Sequence, residues 1–447
     1  GDDDNTGENA TDSPTGTGPK ATITEALRVV NSDGSGKLII ADGTSYAEDV
    51  DIDMDIEFES TGSFTLGLAL TIDGDHTLTL DGDMTVSGTL NLTGAGDKLD
   101  ASDHALTLST WTGDGFVVTN SNTDLTLNGA VTNFNLDGTG DALNNLTVNG
   151  AGTVSMLDNL TIGGELNLVT APSGVPLAGG DELAIGTHTL TLSGTIAGTS
   201  NGYITGGPMA SLEVNGTGDL GELSFNPAPN LLFSFTINRD GNIKLATDGM
   251  FGALTVTTLH LNDGTLELNG FALTATNYNE DGGSFIGNPV SSLDIGTVNT
   301  GGLVFEQPGG GFLMGLTTKS DITLETPLTI GSTMDVKGGS FTTGPTAILT
   351  AGAATITVSD GATLTNSASM TIGTLNDFGT VDLDASCTVN TALTLGSTGG
   401  GGSDGTLDFE NHQLTLGGTI SVLTAGSSFS SNGSSDLTVN DGAAAWD

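Results

Sequence analysis

Along most of the chain, apolar and polar residues alternate in short runs, each closed by Gly, Asn or Asp. Leu125-Thr126-Leu127-Asn128-Gly129, Leu146-Thr147-Val148-Asn149-Gly150, Leu212-Glu213-Val214-Asn215-Gly216 and Leu266-Glu267-Leu268-Asn269-Gly270 are four such units. A period of two predicts strands with one face turned inward. The Asn-Gly ends predict corners, because both residues tolerate positive φ. A longer regularity overlies the short one. His104-Ala105-Leu106-Thr107-Leu108 returns at His188-Thr189-Leu190-Thr191-Leu192, Phe271-Ala272-Leu273-Thr274-Ala275 and His412-Gln413-Leu414-Thr415-Leu416, with an earlier echo at His76-Thr77-Leu78-Thr79-Leu80. The steps from Leu106 to Leu190, Leu273 and Leu414 are 84, 83 and 141 residues, so the later copies are degenerate or shortened. Short strands, sharp corners and a long repeat predict an all-β parallel solenoid. Each coil then buries one inward stripe and pairs with the coils above and below. At roughly 20 to 25 residues per coil, some 17 to 21 coils and a rod on the order of 80 to 100 Å follow.

Three segments differ in pattern: 1–20, 21–60 and 61–447. The first is rich in Asp, Thr and Gly, holds Pro14 and Pro19, and has no apolar period, which predicts an acidic flexible tether. The second opens with Thr22-Ile23-Thr24-Glu25, the spacing of a capping box. Ile23, Ala26, Leu27 and Val30 then give one apolar helical face, and 31–36 is a turn that ends it. The expectation is a short N-terminal capping helix, followed by a strand at Lys37-Leu38-Ile39-Ile40 and the repeats. A solenoid end needs such a cover, since it otherwise exposes apolar side chains and unpaired strand edges. At the other end, Leu437-Thr438-Val439-Asn440-Asp441-Gly442 runs into Ala443-Ala444-Ala445-Trp446-Asp447 with no helix pattern. Three readings are open there: Trp446 covers the end locally, or a filament forms because another subunit stacks on the end or because the acidic tail pairs with a neighbour by strand addition.

Three resemblances sharpen these expectations. Gly1-Asp2-Asp3-Asp4-Asn5 resembles the start of a mature bacterial surface lipoprotein, just past its lipidated cysteine, of the kind found in Bacteroidota. The helix-then-strand opening resembles that of pectate-lyase-like β-helices, which implies a right-handed parallel β-helix. The order Phe235-Thr236-Ile237-Asn238-Arg239, Leu254-Thr255-Val256, Gly264-Thr265-Leu266-Glu267-Leu268-Asn269-Gly270 is similar to a repeat of bacterial cell-surface proteins and covers most of residues 73–442. That resemblance implies adhesion or surface architecture and brings no catalytic motif. The implied location is extracellular, on the outer face of a bacterial outer membrane.

Composition changes the picture in three ways. Glycine and threonine, 69 and 70 residues of 447, match a chain of many corners and polar ladders. Aromatic residues are 5%, so the core must be built mainly from Leu, Val and Ile. Eight Lys plus Arg against 54 Asp plus Glu give a charge of −46, which repels phosphate and makes nucleic acid and anionic membrane surfaces poor partners. The expected partners are other copies of the chain, other cell-surface proteins or polysaccharide, with membrane contact only through an N-terminal lipid anchor.

The candidate chemistry is sparse. Lone Cys387 in a strand-like stretch reads as a small buried hydrophobe, with an intermolecular disulfide as the alternative. The four histidines of the repeated slot recur too far apart for one metal site and read as corner hydrogen-bonding groups. A lyase acting on uronates needs a cation, yet Arg28 belongs to the predicted helix and Arg239 to a repeated phrase where a structural role suffices. Carboxylates are plentiful, but no pair is singled out for glycoside hydrolysis, and the chain reads as non-enzymatic. The densest charge lies at Asp49, Asp51, Asp53, Asp55, Glu57 and Glu59, alternating with Val50, Ile52, Met54, Ile56 and Phe58. Strand period predicts six carboxylates on one outer face, either simply solvated or, with Asp49, Asp51, Asp53, Asp55 and Glu57 as ligands, holding Ca²⁺. Pairs such as Thr77/Thr79 and Thr187/Thr189/Thr191 suggest an ice-like or crystalline ligand, but the threonines are expected on different faces, with no one-per-coil Thr-x-Thr column.

Overall fold

The computed structural model describes residues 21–33, 36–40, 43–131, 133–136, 141–150, 152–169, 180–197, 202–225, 230–246, 253–306, 311–396 and 404–440. The acidic tether and the segment ending in Trp446 lie outside them. The chain is all-β, 62% strand and 2% helix, and forms a parallel β-solenoid of about 17 turns. It divides into two units, Gly1–Asn215 and Gly216–Asp447.

In the first unit, one ladder of parallel strands includes Ile56–Leu66, Thr77–Leu92, Ala105–Gly113, Asp124–Leu127, Asn145–Val148 and Glu165–Leu168. Register places like on like. Leu106, Leu125, Leu146 and Leu166 stack inward, at most 1% exposed, while Thr107, Thr126, Thr147 and Asn167 stack beside them on the outside. Each such leucine contributes about 1.5 to 3 kcal/mol by leaving water, and the alternation of small polar and large apolar residues fixes which face it takes. Aromatic pairs fill the wider parts of this core: Phe58 meets Phe64 at 6.2 Å and Trp111 meets Phe134 at 6.0 Å between ring centres.

Helix Ile23–Asp33 packs on this unit with Ile23, Leu27 and Val30 buried. The helix runs three residues beyond the expected boundary at Val30. In the capping box the Glu25 N–H donates to Thr22 Oγ1 at 3.2 Å, and the Glu25 carboxylate also accepts from Arg28. Glu48 reaches in from outside the helix, accepting the Ile23 and Thr24 amides at 2.7 and 3.0 Å. A carboxylate at a helix N-terminus satisfies free amides and complements the dipole.

In the second unit, parallel strands Asn230–Leu245, Ala253–Glu267, Ala272–Glu280, Ser292–Thr300, Gly311–Thr318, Leu328–Val336, Leu349–Val358, Met370–Asp377 and Cys387–Leu395 succeed one another in one sheet. A second sheet stacks Ile322–Leu324, Ser340–Thr343, Thr363–Asn366, Thr380–Leu383, Thr406–Asp408 and Ser428–Ser430. Coil length is uneven: 18 residues separate the paired Leu375 and Leu393, and 27 separate Leu393 from Ile420.

Corners are made in two ways. At Asn269-Gly270 both residues have positive φ, 43° and 95°, and the turn closes with Phe271 N–H donating to Leu268 O at 2.8 Å. At Asn128-Gly129 the glycine is needed for approach instead: a Cβ there would lie 1.9 Å from Ser109 O in the preceding coil.

Candidate functional site

The acidic row at 49–59 does not form the single face expected. Strand Val50–Ile52 ends before Asp53, and a new strand begins only at Ile56, so a corner divides the row. Its members then meet different partners. Asp49 accepts the Ala69 amide at 3.0 Å and Asp55 the Thr77 amide at 2.8 Å. Glu57 and Glu59 hold Lys37 at 2.9 and 2.6 Å, and these bonds, to Glu59 first and then Glu57, raise the Lys37 pKa. Asp51 faces solvent beside Thr71 of the next coil. Among the described residues, no three His, Cys, Asp or Glu side chains are placed to hold a metal ion. Calorimetric titration with Ca²⁺ in physiological salt is therefore expected to give no saturable heat. Saturable binding that disappears in Asp51→Asn/Asp53→Asn would restore the calcium reading.

What the corner acids do recurs along both units. A strand's first amide has no ladder carbonyl when the preceding coil turns away, and a buried or half-buried amide needs an acceptor. Asp83 accepts the Ala105 amide at 2.9 Å, Asn145 that of Glu165 at 2.6 Å, and Asn159 that of Thr189 at 2.8 Å. In the second unit Asp219 accepts the Asn242 amide at 3.0 Å and Asp321 that of Ser340 at 2.8 Å. Asp97, fully buried, accepts the amides of Asp75 and Gly94 at 2.7 and 2.6 Å and the Thr93 hydroxyl at 3.1 Å. Several of the carboxylates are thus built into the corners. Sequence reading missed this clasp, although an Asp or Asn one coil before a strand start is its signal.

The histidine slot is the last position of a turn. Main-chain N–H groups of His104, His188 and His412 donate to Ala101, Ile185 and Phe409 at 3.1, 3.2 and 3.1 Å. The backbone makes a corner bond at each of these three, and the His188 ring lies 3.5 Å from the Thr187 hydroxyl. His76 and His104 stand 3.6 and 3.8 Å from Asp55 and Asp81. Cys387 is buried in strand Cys387–Leu395, between Met370 and Leu414, and burial pushes its thiol up to about 12. The small-hydrophobe reading fits this placement.

Several of the described cations are occupied. Arg28 pairs with Glu25, Lys244 with Glu222, and Lys319 with Asp294. Arg239 is 2% exposed, and its guanidinium donates to the carbonyls of Gly218, Thr217 and Asp219. Burial lowers its pKa against the pull of Asp240 and Asp219.

As Glu59 stacks on Asp81 in the first unit, so on the second sheet of the second unit Asp382 stacks directly on Asp408. Burial raises the Asp382 pKa, reinforced by Asp384, Asp408 and Glu410 and opposed by His412. Sequence reading nominated no such pair, because the two residues lie 26 apart across a long corner.

Register aligns single threonines, though not Thr-x-Thr pairs, into a column. Thr329, Thr350, Thr371, Thr388, Thr415 and Thr438 pair one on the next across six successive strands. Thr350 and Thr438 are exposed and the other four half-buried. In the first unit Thr65, Thr85, Thr107, Thr126 and Thr147 form a similar column, with Asp83 and Asp124 two residues before Thr85 and Thr126, where the second-unit column has one such acid, Asp436 before Thr438.

Comparison with protein-family models, curated proteins and solved structures finds no match to this chain.

Proposed function

We propose that this chain is a non-enzymatic structural or adhesive scaffold of a bacterial cell surface, held outside the cell. The observation that carries this reading is where the reactive groups go. Both arginines are committed, to Glu25 and to the carbonyls of 217–219, and corner carboxylates clasp amides of the next coil. A chain whose ionic groups hold its own backbone is suited to rigidity and to presenting regular polar faces. The resemblance to surface repeats supports the location, and the −46 charge suits a solvated exterior. Its partners in this reading are further copies, neighbouring surface proteins or polysaccharide.

A second reading, carbohydrate cleavage, is favoured by the stacked Asp382 and Asp408, since a half-buried acid with a raised pKa beside a second carboxylate is the arrangement of an acid–base pair. One experiment separates the two. Beads coated with purified protein are expected to adhere to polysaccharide or bacterial surfaces, while the free protein releases no reducing ends or unsaturated products from a panel of neutral and acidic glycans. Product release that is abolished by Asp382→Asn would replace the scaffold reading with the hydrolytic one.

A further inference from the structure

We propose that the threonine column from Thr329 to Thr438 is an ice-binding face, a function that stands whether or not the chain sits at a cell surface. Four observations carry it. The column is continuous, one threonine per coil through six strands of parallel register. At the strand spacing of a parallel sheet, about 4.8 Å, it spans about 24 Å and repeats a hydroxyl and a methyl at each step. Hexagonal ice repeats its oxygens at nearly that spacing.

The hydroxyls are also uncommitted. None of the six is bonded among the described residues, whereas Thr93, Thr123 and Thr265 each use theirs inside the chain. The ground beside the column is mostly small: Gly331, Gly352, Gly373 and Gly417 each follow a threonine by two residues, with the Phe312 ring beside Gly331 and Asn390, which follows Thr388, donating across to Gly352 O at 3.3 Å. At Gly352 the fold does not demand glycine, because an added Cβ would meet only Asn390 Nδ2 and Thr371 Cγ2, both at the ordinary distance of 3.8 Å. Finally, the spacing is held from beneath by Ile330, Ala351, Ile372, Val389 and Leu416, each at most 2% exposed.

The chemistry of the occupant follows. A charged face holds its own hydration shell, and no residue of this column ionises. Each hydroxyl can hold one water while the neighbouring methyl offers it no competing bond. A rigid array orders a whole row of waters without first having to order itself. Crystalline polysaccharide is the other periodic ligand, but pyranose recognition uses aromatic platforms, and the column has no aromatic rung, with Phe312 only at its start. Ordered water fits better.

The full chain is tested by following single ice crystals in its solution near the melting point. Expected are faceted crystals and a gap between melting and growth temperatures, both lost in Thr371→Lys and Thr388→Lys with unchanged far-ultraviolet circular dichroism. Exposed Thr350→Lys serves if either variant misfolds. Thr126→Lys, in the first unit's column, is expected to leave the gap unchanged. Round crystals with no gap at any concentration overturn the proposal, as does a gap that survives all three second-unit variants or is lost in Thr126→Lys. Adsorption to crystalline cellulose without arrest of ice growth overturns it in favour of polysaccharide.

Discussion

Replacing Arg239 by Met is expected to open one corner of the second unit while leaving distant coils intact. Phe235, Ile237 and Arg239 occupy successive inward positions of strand Asn230–Leu245. At Arg239 the register against the next strand shifts, Asn238 pairing with Asp263 and Asn242 with Thr265, so the chain bulges where the arginine turns in. Its guanidinium takes Gly218 O, Thr217 O at 2.8 Å and Asp219 O at 3.4 Å. Adjacent Asp240 accepts the Gly218 N–H at 2.7 Å, so two neighbouring side chains clamp one peptide from both sides. Methionine fills similar space but donates nothing. The carbonyls belong to exposed residues, so water can replace part of what the guanidinium supplies; at a net worth of about 0.5 to 1.5 kcal/mol per bond, a loss of about 1.5 kcal/mol is expected for the corner, roughly ten-fold in local opening. Amide hydrogen exchange of peptides covering 217–245 should accelerate by that factor, with peptides near 105–127 unchanged. Arg239→Lys should recover only part of the protection, because an ammonium lacks the fork that reaches several carbonyls together. Unchanged exchange in Arg239→Met would mean that packing alone holds this corner.

The same residue marks how far the sequence can be read. Its structural role was legible from the phrase around it, as were the solenoid, the inward stripes and the covering helix, since each depends on periods of two or 3.6 within one short segment. The Asn-Gly corner at 269–270 was legible for the same reason. Features built between coils were not. The threonine column steps by 21, 21, 17, 27 and 23 residues, and Asp382 reaches Asp408 across 26. No fixed spacing aligns such coils, so a ladder that is continuous in space looks scattered along the chain. The acidic row at 49–59 failed in the opposite direction. Its alternation looked like one strand, but a corner at 53–55 turned the two halves apart, and the carboxylates meet nearby amides and Lys37. Alternation alone does not reveal a corner that lacks Gly and Asn.

Stability is expected to fall as pH rises from about 4 to about 7, and Asp377→Asn is expected to remove that fall. Asp377 ends strand Met370–Asp377 on its inward side, stacked between Val358 and Leu395 and fully buried. One carboxyl oxygen accepts the Gly379 N–H at 3.1 Å, and the other has no partner among the described residues. Burial raises its pKa to about 7, with the Gly379 bond opposing. A raised acid is protonated longer in the folded chain than in the unfolded one. Below the ordinary carboxylate pKa both states are neutral and no penalty exists. Between there and about 7 only the unfolded chain ionises, and folding weakens by about 1.4 kcal/mol per pH unit. Above about 7 the penalty is complete, on the order of 4 kcal/mol. Cys387 reports on this locally, because its strand pairs with that of Asp377 and its buried thiol reacts only when the pair opens. After correction for thiolate fraction, labelling at pH 8 should be at least about tenfold faster in the native chain than in Asp377→Asn, given the size of that penalty. At pH 4.5 the two chains should unfold in urea at nearly the same concentration, and at pH 8 the variant should be the more resistant. Parallel pH dependence in both would show that Asp377 is not the group that titrates.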